Sequence, residues 1–315
     1  MQDDYVIKTE DLSKTYGWFI WKKKIPSLDK LNIAIPRGSI FGFLGPNGAG
    51  KTTTIRLLMD LIKPSEGCAT VLGMPPDDVK TKHKIGFLPD APAFSPYLSA
   101  YEFLNICAKL LKIPSSERKK RINEVLETVK MSEHVKSKLG GFSRGMIQRI
   151  GIAQAILNKP ELLILDEPLV GLDPHGRLEL MEIVRDQKKR GTNVFFCSHI
   201  LADVERMCDR IGILYKGKML CIGTLSELLS EKGTRLSIKP GHDNMAKELM
   251  VEALSCNKLP DGSWELVFPE NNAILEKIRN TKEALAGAIT VSASKESLED
   301  FFFRKIEIAK KEKSS

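Results

Sequence analysis

The amino-acid sequence predicts an α/β fold, because short apolar runs of strand length alternate with stretches of helical periodicity. The three clearest runs are residues 39–44, 162–165 and 193–198, and each ends at glycine or polar residues. Runs of this kind are typical of buried strands. The chain has 315 residues, which predicts about two domains at roughly 150 residues each.

The composition limits the class of protein. Hydrophobic residues make up 42% and charged residues 28% of the chain, which is ordinary for a globular protein and excludes a collagen-like or wholly disordered chain. No apolar run approaches the roughly 20 residues of a membrane span, and the acidic N-terminus lacks the features of a secretory signal. These patterns predict a cytosolic chain. The six cysteines form no C-x-x-C pair, so we expect neither disulfides nor zinc.

The formal net charge is +8, and it is unevenly distributed. Residues 231–315 are electrically balanced, so the whole excess lies in residues 1–230. A basic balance is compatible with a nucleic acid or a membrane surface as partner. A phosphate-binding protein with a solvated basic face accounts for it as well, and we favour that interpretation.

The first apolar run leads into a glycine-rich loop. The loop residues are Gly45, Pro46, Asn47, Gly48, Ala49, Gly50, Lys51, Thr52 and Thr53, and helical periodicity follows over residues 54–62. A strand, a G-x-x-x-x-G-K-T loop and a helix in this order are the P-loop arrangement, in which backbone N–H groups and a helix N-terminus surround phosphate oxygens. Lys51 is expected to reach the β- and γ-phosphates and Thr52 to ligate Mg²⁺. The sequence therefore predicts binding of a nucleoside triphosphate.

The other two runs end in groups that can perform hydrolysis. Residues 162–165 are followed by Asp166, placed to hold Mg²⁺ on the strand edge that carries the P-loop, and by Glu167, expected to act as general base on water. Alone, such a pair is usually a solvated turn; together with a P-loop it predicts a site. His199 follows residues 193–198, and although a single histidine is more often structural, its place on this edge predicts a γ-phosphate contact.

With these motifs in this order, residues 5 to about 230 resemble the ATP-binding subunit of an ABC (ATP-binding cassette) transporter. The resemblance implies a P-loop NTPase fold with a RecA-like core, an antiparallel β subdomain and a helical subdomain at about 93–160, within an ATP-binding domain of residues 1–230. It implies ATP and Mg²⁺ as cofactors and an adenine-stacking role for Tyr16. Residues 45–53 then correspond to the Walker A loop and residues 162–167 to Walker B.

The same resemblance implies a composite site between two subunits. Residues 142–146 lie where the family has its signature, Leu-Ser-Gly-Gly-Gln. Ser143, Gly145 and the N-terminus of the following helix would contact the γ-phosphate held by a second subunit. Asp173 lies in the D-loop and His199 corresponds to the switch histidine. Two copies are therefore expected to close head-to-tail around two ATP molecules.

The sequence departs from the family pattern in three places. Phe142, Arg144 and Met146 replace the Leu, Gly and Gln of the signature, and this form resembles the subgroup that works with ABC-2-type permeases, many of them exporters. Asp90 replaces the Q-loop glutamine; it is expected to coordinate Mg²⁺ or water and adds a negative charge. Val170 replaces the D-loop serine. We expect hydrolysis to survive but to be slower.

Two segments outside the motifs have competing interpretations. The aromatic residues Phe94, Tyr97 and Tyr101 either form a docking surface for the coupling helix of a permease or pack the helical subdomain. Within that subdomain, a turn over residues 114–117 is expected to precede a basic helix from residue 118. Residues 18–24 contain two Trp and three Lys, which suit lipid headgroups or an acidic partner loop, although we favour an extended hairpin with a solvated tip.

Residues 231–315 are predicted to form an accessory domain. The expected order is strand, helix, short strand, strand, a helix over residues 273–284, strand and final helix, which suggests a small α+β, ferredoxin-like appendage. We find no phosphate, metal or nucleophile constellation in it. A dimer-stabilising or regulatory role and a purely structural one both remain open.

The sequence thus predicts an ATP-hydrolysing subunit of an ABC-2-type transporter that powers export through a separate permease on the cytoplasmic face of the cell membrane. The second ATP-binding subunit is expected to be another copy of the chain, and no nucleic acid partner is expected. The alternative is a soluble ABC ATPase acting on ribosomes or DNA. Ribosome-acting relatives usually carry two cassettes and DNA-repair relatives a long coiled coil, whereas here a single P-loop and a short segment precede Ser143. A weakly catalytic, ATP-gated scaffold is a third interpretation, supported by Asp90 and Val170.

Overall fold

A computed structural model describes residues 4–17, 25–229, 231–250, 253, 255–268, 288–295 and 297–311. The chain divides into two units, Met1–Leu225 and Ser226–Ser315, so the division lies slightly before the predicted boundary at residue 230. The predicted insertion at residues 18–24 and the predicted helix at residues 273–284 lie outside the described residues.

The first unit contains nine strands and seven α-helices among the described residues, followed by a short helix at the junction. The strands are β1 (Tyr5–Tyr16), β2 (Ile25–Pro36), β3 (Ile40–Leu44), β4 (Glu66–Val71), β5 (Ile85–Leu88), β6 (Leu162–Asp166), β7 (Asn193–Ser198), β8 (Arg210–Tyr215) and β9 (Lys218–Thr224). The helices are α1 (Lys51–Leu58), α2 (Val79–Lys82), α3 (Ala100–Leu110), α4 (Ser115–Thr128), α5 (Arg144–Ala155), α6 (Pro174–Lys189) and α7 (Leu201–Met207), and α8 (Leu225–Leu228) lies at the junction.

A six-stranded sheet forms the centre of this unit, with the order β5-β6-β7-β3-β8-β9. All its neighbouring strands are parallel except β8 and β9. Strands β3, β6 and β7 are buried along their whole length, and Phe195 lies with its ring centroid 5.9 Å from Phe41 and 5.2 Å from Phe43. Burial on both faces explains why these strands are continuous apolar runs. Their parallel direction brings the loops that follow β5, β6, β7 and β3 to one edge of the sheet.

An antiparallel sheet of order β2-β1-β4 packs onto the same core. Ile7 of β1 and Leu31 of β2 belong to one buried cluster with Phe43 of β3 and Ile55 of α1. This sheet therefore shares a continuous core with the P-loop strand and its helix.

Helices α3, α4 and α5 fill the segment between β5 and β6. Helix α3 begins with a capping box, in which Ser99 Oγ accepts the Glu102 N–H at 3.2 Å and the Glu102 carboxylate accepts the Ser99 N–H at 2.7 Å. Helix α4 begins at Ser115, so the predicted turn over residues 114–117 is wrong. Pro114 precedes the helix, and proline is compatible with the start of a helix. Its carbonyl oxygen accepts hydrogen bonds from the N–H groups of residues 117 and 118.

The helix after the P-loop also differs from its prediction. Helix α1 covers Lys51–Leu58, whereas the periodicity predicted residues 54–62. Its first turn overlaps the phosphate-binding motif, since the Thr54 N–H donates to the Gly50 carbonyl at 2.9 Å. It ends early because Asp60 takes a left-handed backbone with φ 55°.

The second unit contains β10 (Glu231–Ile238), β11 (Ser255–Lys258), β12 (Trp264–Phe268), β13 (Ile289–Lys295), α9 (Asp243–Met250) and α10 (Leu298–Lys311). Its strand order is β11-β12-β10-β13 with antiparallel neighbours throughout. This is the order of a ferredoxin-like sheet, in which each helix connects strands that are not neighbours. Ala246 of α9 packs on Leu236, Ile238, Leu266 and Phe268. Across the described parts of both units, no helix is long and apolar enough to span a bilayer.

Candidate active site

One cleft collects most of the predicted site residues at the carboxyl ends of the parallel strands. Its lining consists of Ser27, Pro46, Asn47, Gly48, Ala49, Gly50, Lys51, Thr52, Thr53, Asp90 and Glu167. The loops that follow β3, β5 and β6, together with the first turn of α1, supply all of these residues except Ser27. The adjacency of β5, β6, β7 and β3 is therefore what assembles the site.

The P-loop backbone is shaped by its glycines. Gly50 has φ 114°, a conformation that L-residues with side chains rarely adopt. Gly45 lies so close to β8 that a methyl group added to it would come within 2.4 Å of the Leu214 carbonyl oxygen. The loop is closed by the Ala49 N–H, which donates to Pro46 O at 3.1 Å, and anchored by the Gly217 N–H, which donates to Ala49 O at 2.8 Å. These contacts hold the loop in a curve at the N-terminus of α1.

The Lys51 ammonium lies inside this curve. Its side chain is only 6% exposed, and Nζ donates to the carbonyl oxygens of Gly45 at 2.6 Å and Pro46 at 3.4 Å. Nζ also lies 3.3 Å from Glu167 Oε1. A buried ammonium with these partners is a fixed positive charge beside the cleft, where a phosphate group can reach it.

Thr52 and Asp166 form an oxygen pair next to the cleft. The Thr52 hydroxyl donates to Asp166 Oδ2 at 3.2 Å, whereas Asp166 Oδ1 is buried and finds no hydrogen-bond partner in the part of the chain that the structure describes. Burial raises the pKa of Asp166 to about 6, and the hydrogen bond from Thr52 opposes that rise. An orphaned carboxylate oxygen beside a hydroxyl suits a hard cation such as Mg²⁺. Within the described ranges no group of three or more His, Cys, Asp or Glu side chains could hold a metal.

Glu167 is held between two cationic or proton-bearing groups. Its Oε2 lies 3.0 Å from His199 Nδ1, while Oε1 faces Lys51. The Glu167 backbone N–H donates to Cys197 O of β7 at 3.0 Å. Its φ of 48° is left-handed, which costs about 1–3 kcal/mol for a residue with a side chain. A carboxylate that is held at a cleft by a strained backbone is a candidate catalytic group.

Seven predicted residues are not part of the cleft lining. Gly45, Asp166 and His199 each contact a lining residue, whereas the other four have their described contacts elsewhere. Tyr16 ends β1, half exposed, with Lys14 Nζ 5.5 Å from its ring centroid. Ser143 caps α5, its Oγ accepting the Met146 N–H at 3.3 Å, and Gly145 lies in the first turn of that helix. Asp173 caps α6, its Oδ1 accepting the Gly176 N–H at 3.1 Å.

The aromatic residues of the helical region have different surroundings. Phe94 packs on Phe103 with ring centroids 4.4 Å apart, whereas Tyr97 is 82% exposed. Tyr101 is partly exposed. Packing thus accounts for Phe94, and Tyr97 presents an aromatic surface.

Two contacts around the site were not predicted from the sequence. Ser27 of β2 reaches the P-loop, where its hydroxyl lies 2.9 Å from the Thr53 hydroxyl. Arg177 of α6 connects the D-loop to α7, since its Nε donates to Leu172 O at 3.3 Å and its Nη1 lies 3.6 Å from Asp203 Oδ2. No local motif marks the Ser27–Thr53 or the Arg177–Asp203 contact, because each joins distant segments of the chain.

Comparison with known proteins identifies the family. The ABC transporter family model matches residues 28–170. An uncharacterized ABC transporter ATP-binding protein of Synechocystis sp. is 38% identical over 305 residues, covering 96% of this chain and 84% of its own length. A bacitracin transport ATP-binding protein of Bacillus licheniformis is 37% identical, covering 96% of this chain and 97% of its own length. A linearmycin resistance ATP-binding protein of Bacillus subtilis is 41% identical over 72% of each chain.

Solved structures agree with this assignment. An ATP-binding subunit of an ABC transporter has a TM-score of 0.62 and 30% identity, covering 71% of this chain and 91% of its own. A dimeric ATP-binding cassette in a post-hydrolysis state with ADP and phosphate has a TM-score of 0.64 and 26% identity, covering 70% of this chain and 98% of its own. The chain therefore belongs to the ABC transporter family as one of its ATP-binding cassettes, which are ATPases.

Proposed function

We propose that the chain binds MgATP in the P-loop cleft and hydrolyses it to power export through a separate ABC-2-type permease. The observation that carries the proposal is the meeting of Lys51, Asp166, Glu167 and His199 at the edge where the P-loop begins α1. These are the charges and hydrogen-bonding groups that phosphoryl transfer to water requires, arranged within contact of one cleft.

The triphosphate would lie along the backbone N–H groups of the P-loop. Lys51 supplies positive charge to the terminal phosphates, and Tyr16 supplies a ring for the adenine. The residues that would hold Mg²⁺ are Thr52 and Asp166, with Asp90, which also lines the cleft, as a further oxygen ligand or water contact. When bound, the metal supplies charge neutralisation for the phosphate oxygens.

Glu167 is the proposed general base. In this structure its carboxylate is paired with Lys51 and His199. A γ-phosphate competes with Glu167 for Lys51, because both are anions that the same ammonium can pair with. Binding of ATP thus frees one carboxylate oxygen to accept a proton from water, while His199 keeps the other oriented and faces the γ-phosphate.

Hydrolysis also requires a second cassette. Ser143 and Gly145 do not line the cleft of their own chain and lie at the N-terminus of α5, where unpaired N–H groups favour an anion. We infer that they, with Asp173, complete the site of a partner cassette, and that the partner is a second copy of the chain. The dimeric relative bound to ADP and phosphate supports this arrangement.

The organisation of the chain follows from this role. Residues 1–230 form the ATP-binding domain, with the helical region at about 93–160 docking the permease and residues 231–315 as an accessory domain. The relatives named for bacitracin transport and linearmycin resistance support a membrane transporter working in export. The cassette would then be peripheral on the cytoplasmic face of the membrane, held by its permease.

The test uses the tagged full-length chain and its Glu167→Gln variant, purified from membranes in mild detergent. We expect a multi-spanning membrane protein to co-purify in stoichiometric amount with both. Glu167→Gln should retain ATP binding and lose about 10²- to 10⁴-fold in hydrolysis, the usual contribution of a general base. Glu182→Gln, an exposed change on α6, is the matched control.

Two outcomes would contradict the proposal. Recovery of ribosomal proteins or nucleic acid without a membrane partner would exclude the transporter role. Hydrolysis by Glu167→Gln at the control rate would exclude Glu167 as the base.

A further inference from the structure

Arg144, which stands where the family signature has glycine, lies against the D-loop of its own chain. A methyl group added to Gly171 would come within 2.6 Å of Arg144 Cζ, Nε and Nη1 alike. A point that far from three adjacent atoms of a planar group, and equally far from each, lies off the plane of the group and above its Nε–Nη1 side. The guanidinium therefore fills the space beside Gly171 where a side chain would lie, and turns its plane towards that position.

The neighbouring residues extend this contact. Gly171 has φ 77°, so both its backbone and its lack of a side chain suit the guanidinium beside it. A methyl group added to Gly145 would lie 3.4 Å from Leu172 Cδ2. Two consecutive residues of the signature thus lie against two consecutive residues of the D-loop.

The D-loop continues directly from the proposed base. The Val170 N–H donates to Glu167 O at 3.2 Å, and the Leu172 N–H donates to Leu169 O at 3.3 Å. Two linked turns therefore join Gly171 to Glu167. Because Glu167 already has a left-handed backbone with φ 48°, its carboxylate position depends on these turns being held.

The D-loop has a second support on its other side. Arg177 donates to Leu172 O, and its other end lies beside Asp203, which is buried and has its pKa raised by that burial. This support fixes the end of the loop that leads into α6. Among the described residues, none hydrogen-bonds or ion-pairs with the Arg144 guanidinium, so the packing against Gly171 is the contact through which it acts.

We propose that Arg144 is a positioning residue for ATP hydrolysis, whose guanidinium holds the D-loop from the signature side and so keeps the Glu167 carboxylate in place. The inference rests on the proposed role of Glu167 as general base. Arg144 acts through the loop and not on the nucleotide of its own cleft. Its removal should therefore lower the rate of the chemical step and leave ATP binding intact.

The experiment is a double-mutant cycle on the full chain with Arg144→Ala, Gly171→Ala and the combination. The readouts are kcat and KM for ATP, the affinity for a fluorescent ATP analogue, and the thermal midpoint. We expect each single change to lower kcat between about 10- and 100-fold, the scale of a misplaced catalytic group, with KM and analogue affinity unchanged. The combined loss should be smaller than the product of the two single losses, because removing the Arg144 side chain also removes the clash that Gly171→Ala introduces.

Additive losses in the cycle would overturn the proposal, since they would mean that the two residues act independently. Arg144→Lys provides a second test of the proposal if the Ala variants fold poorly. Lysine keeps the charge but lacks the planar guanidinium, so we expect Arg144→Lys to be slow, and wild-type kcat would show that charge alone suffices. Arg190→Gln, at the exposed end of α6, is the control.

The outcomes also separate this proposal from the assignment of the base. If Glu167→Gln hydrolyses ATP normally, the base assignment itself fails. If Glu167→Gln is inactive while the Arg144 variants match wild type, only the positioning role fails.

Discussion

Glu179 of α6 connects that helix to the helical region through ion pairs. Its carboxylate accepts a hydrogen bond from Lys130 Nζ at 2.8 Å and one from Arg149 Nη2, and His175 Nδ1 lies 3.4 Å away. Lys130 follows α4, and Arg149 lies on α5, the helix that starts at the signature. The perturbation is Glu179→Gln, which removes the negative charge from this junction and preserves the shape of the side chain.

The magnitude follows from the pKa of the carboxyl. The pKa of the Glu179 carboxyl is lowered from 4.5 to about 2. The hydrogen bond from Lys130 contributes most to this lowering, followed by the hydrogen bond from Arg149. At about 1.36 kcal/mol per pH unit, this corresponds to roughly 3 kcal/mol of stability. Because the side chain is 19% exposed and water screens part of the interaction, we expect about 1–2 kcal/mol at pH 7.

The pH dependence has a definite sign. A lowered carboxyl pKa contributes stability that is fully present above the unfolded value of 4.5 and is lost as pH falls towards 2. The free energy of unfolding by urea should therefore differ between wild type and Glu179→Gln by a constant amount from pH 7 to about 5, and the difference should shrink below that.

Glu182, which is exposed and lies one turn further along the same helix, provides the control. Glu182→Gln should change stability little at any pH, since surface substitutions away from special contacts usually do. A difference for Glu179→Gln that is absent at pH 7, or that stays the same at pH 3, would show that the ion pairs of Glu179 do not stabilise the fold.

Two further predictions concern the core and the cleft. Gly86→Ala should destabilise the first unit by about 2–3 kcal/mol in urea unfolding, because the added methyl group would lie 2.0 Å from Ala155 O. Gly141→Ala is the control, since its methyl group would have no heavy atom within 4 Å. Equal stability of the two variants would contradict the expected clash. Asp90→Gln combined with Val170→Ser should raise kcat for ATP, since it removes a negative charge from the cleft wall and restores a hydroxyl to the D-loop; an unchanged ATPase rate would refute this.

The P-loop site could be predicted from sequence because its chemistry and its backbone requirements are local. Residues 45–53 contain both the glycines that the curve needs and the side chains that the motif predicts to face phosphate. Asp166, Glu167 and His199 were placed near it by one further rule, that buried parallel strands present their carboxyl ends at one edge. The sheet order β5-β6-β7-β3 meets that condition.

Local patterns were less reliable where two rules competed. Residues 114–117 have the composition of a turn, yet they begin α4 because Pro114 is compatible with a helix start and its carbonyl is available to the first N–H groups. The periodicity after the P-loop placed α1 too late, since its first turn consists of the phosphate-binding residues themselves.

The sequence by itself determined which groups this cassette offers to a nucleotide, because each motif, the P-loop and the carboxylates at a strand end, is specified within a few consecutive residues. Only the tertiary structure decided how those groups are supported. The contact of Ser27 with Thr53, the packing of Arg144 against Gly171 and the ion pairs of Glu179 each join segments far apart in the chain. Such contacts depend on strand register and helix packing, which the pattern of a single segment does not specify.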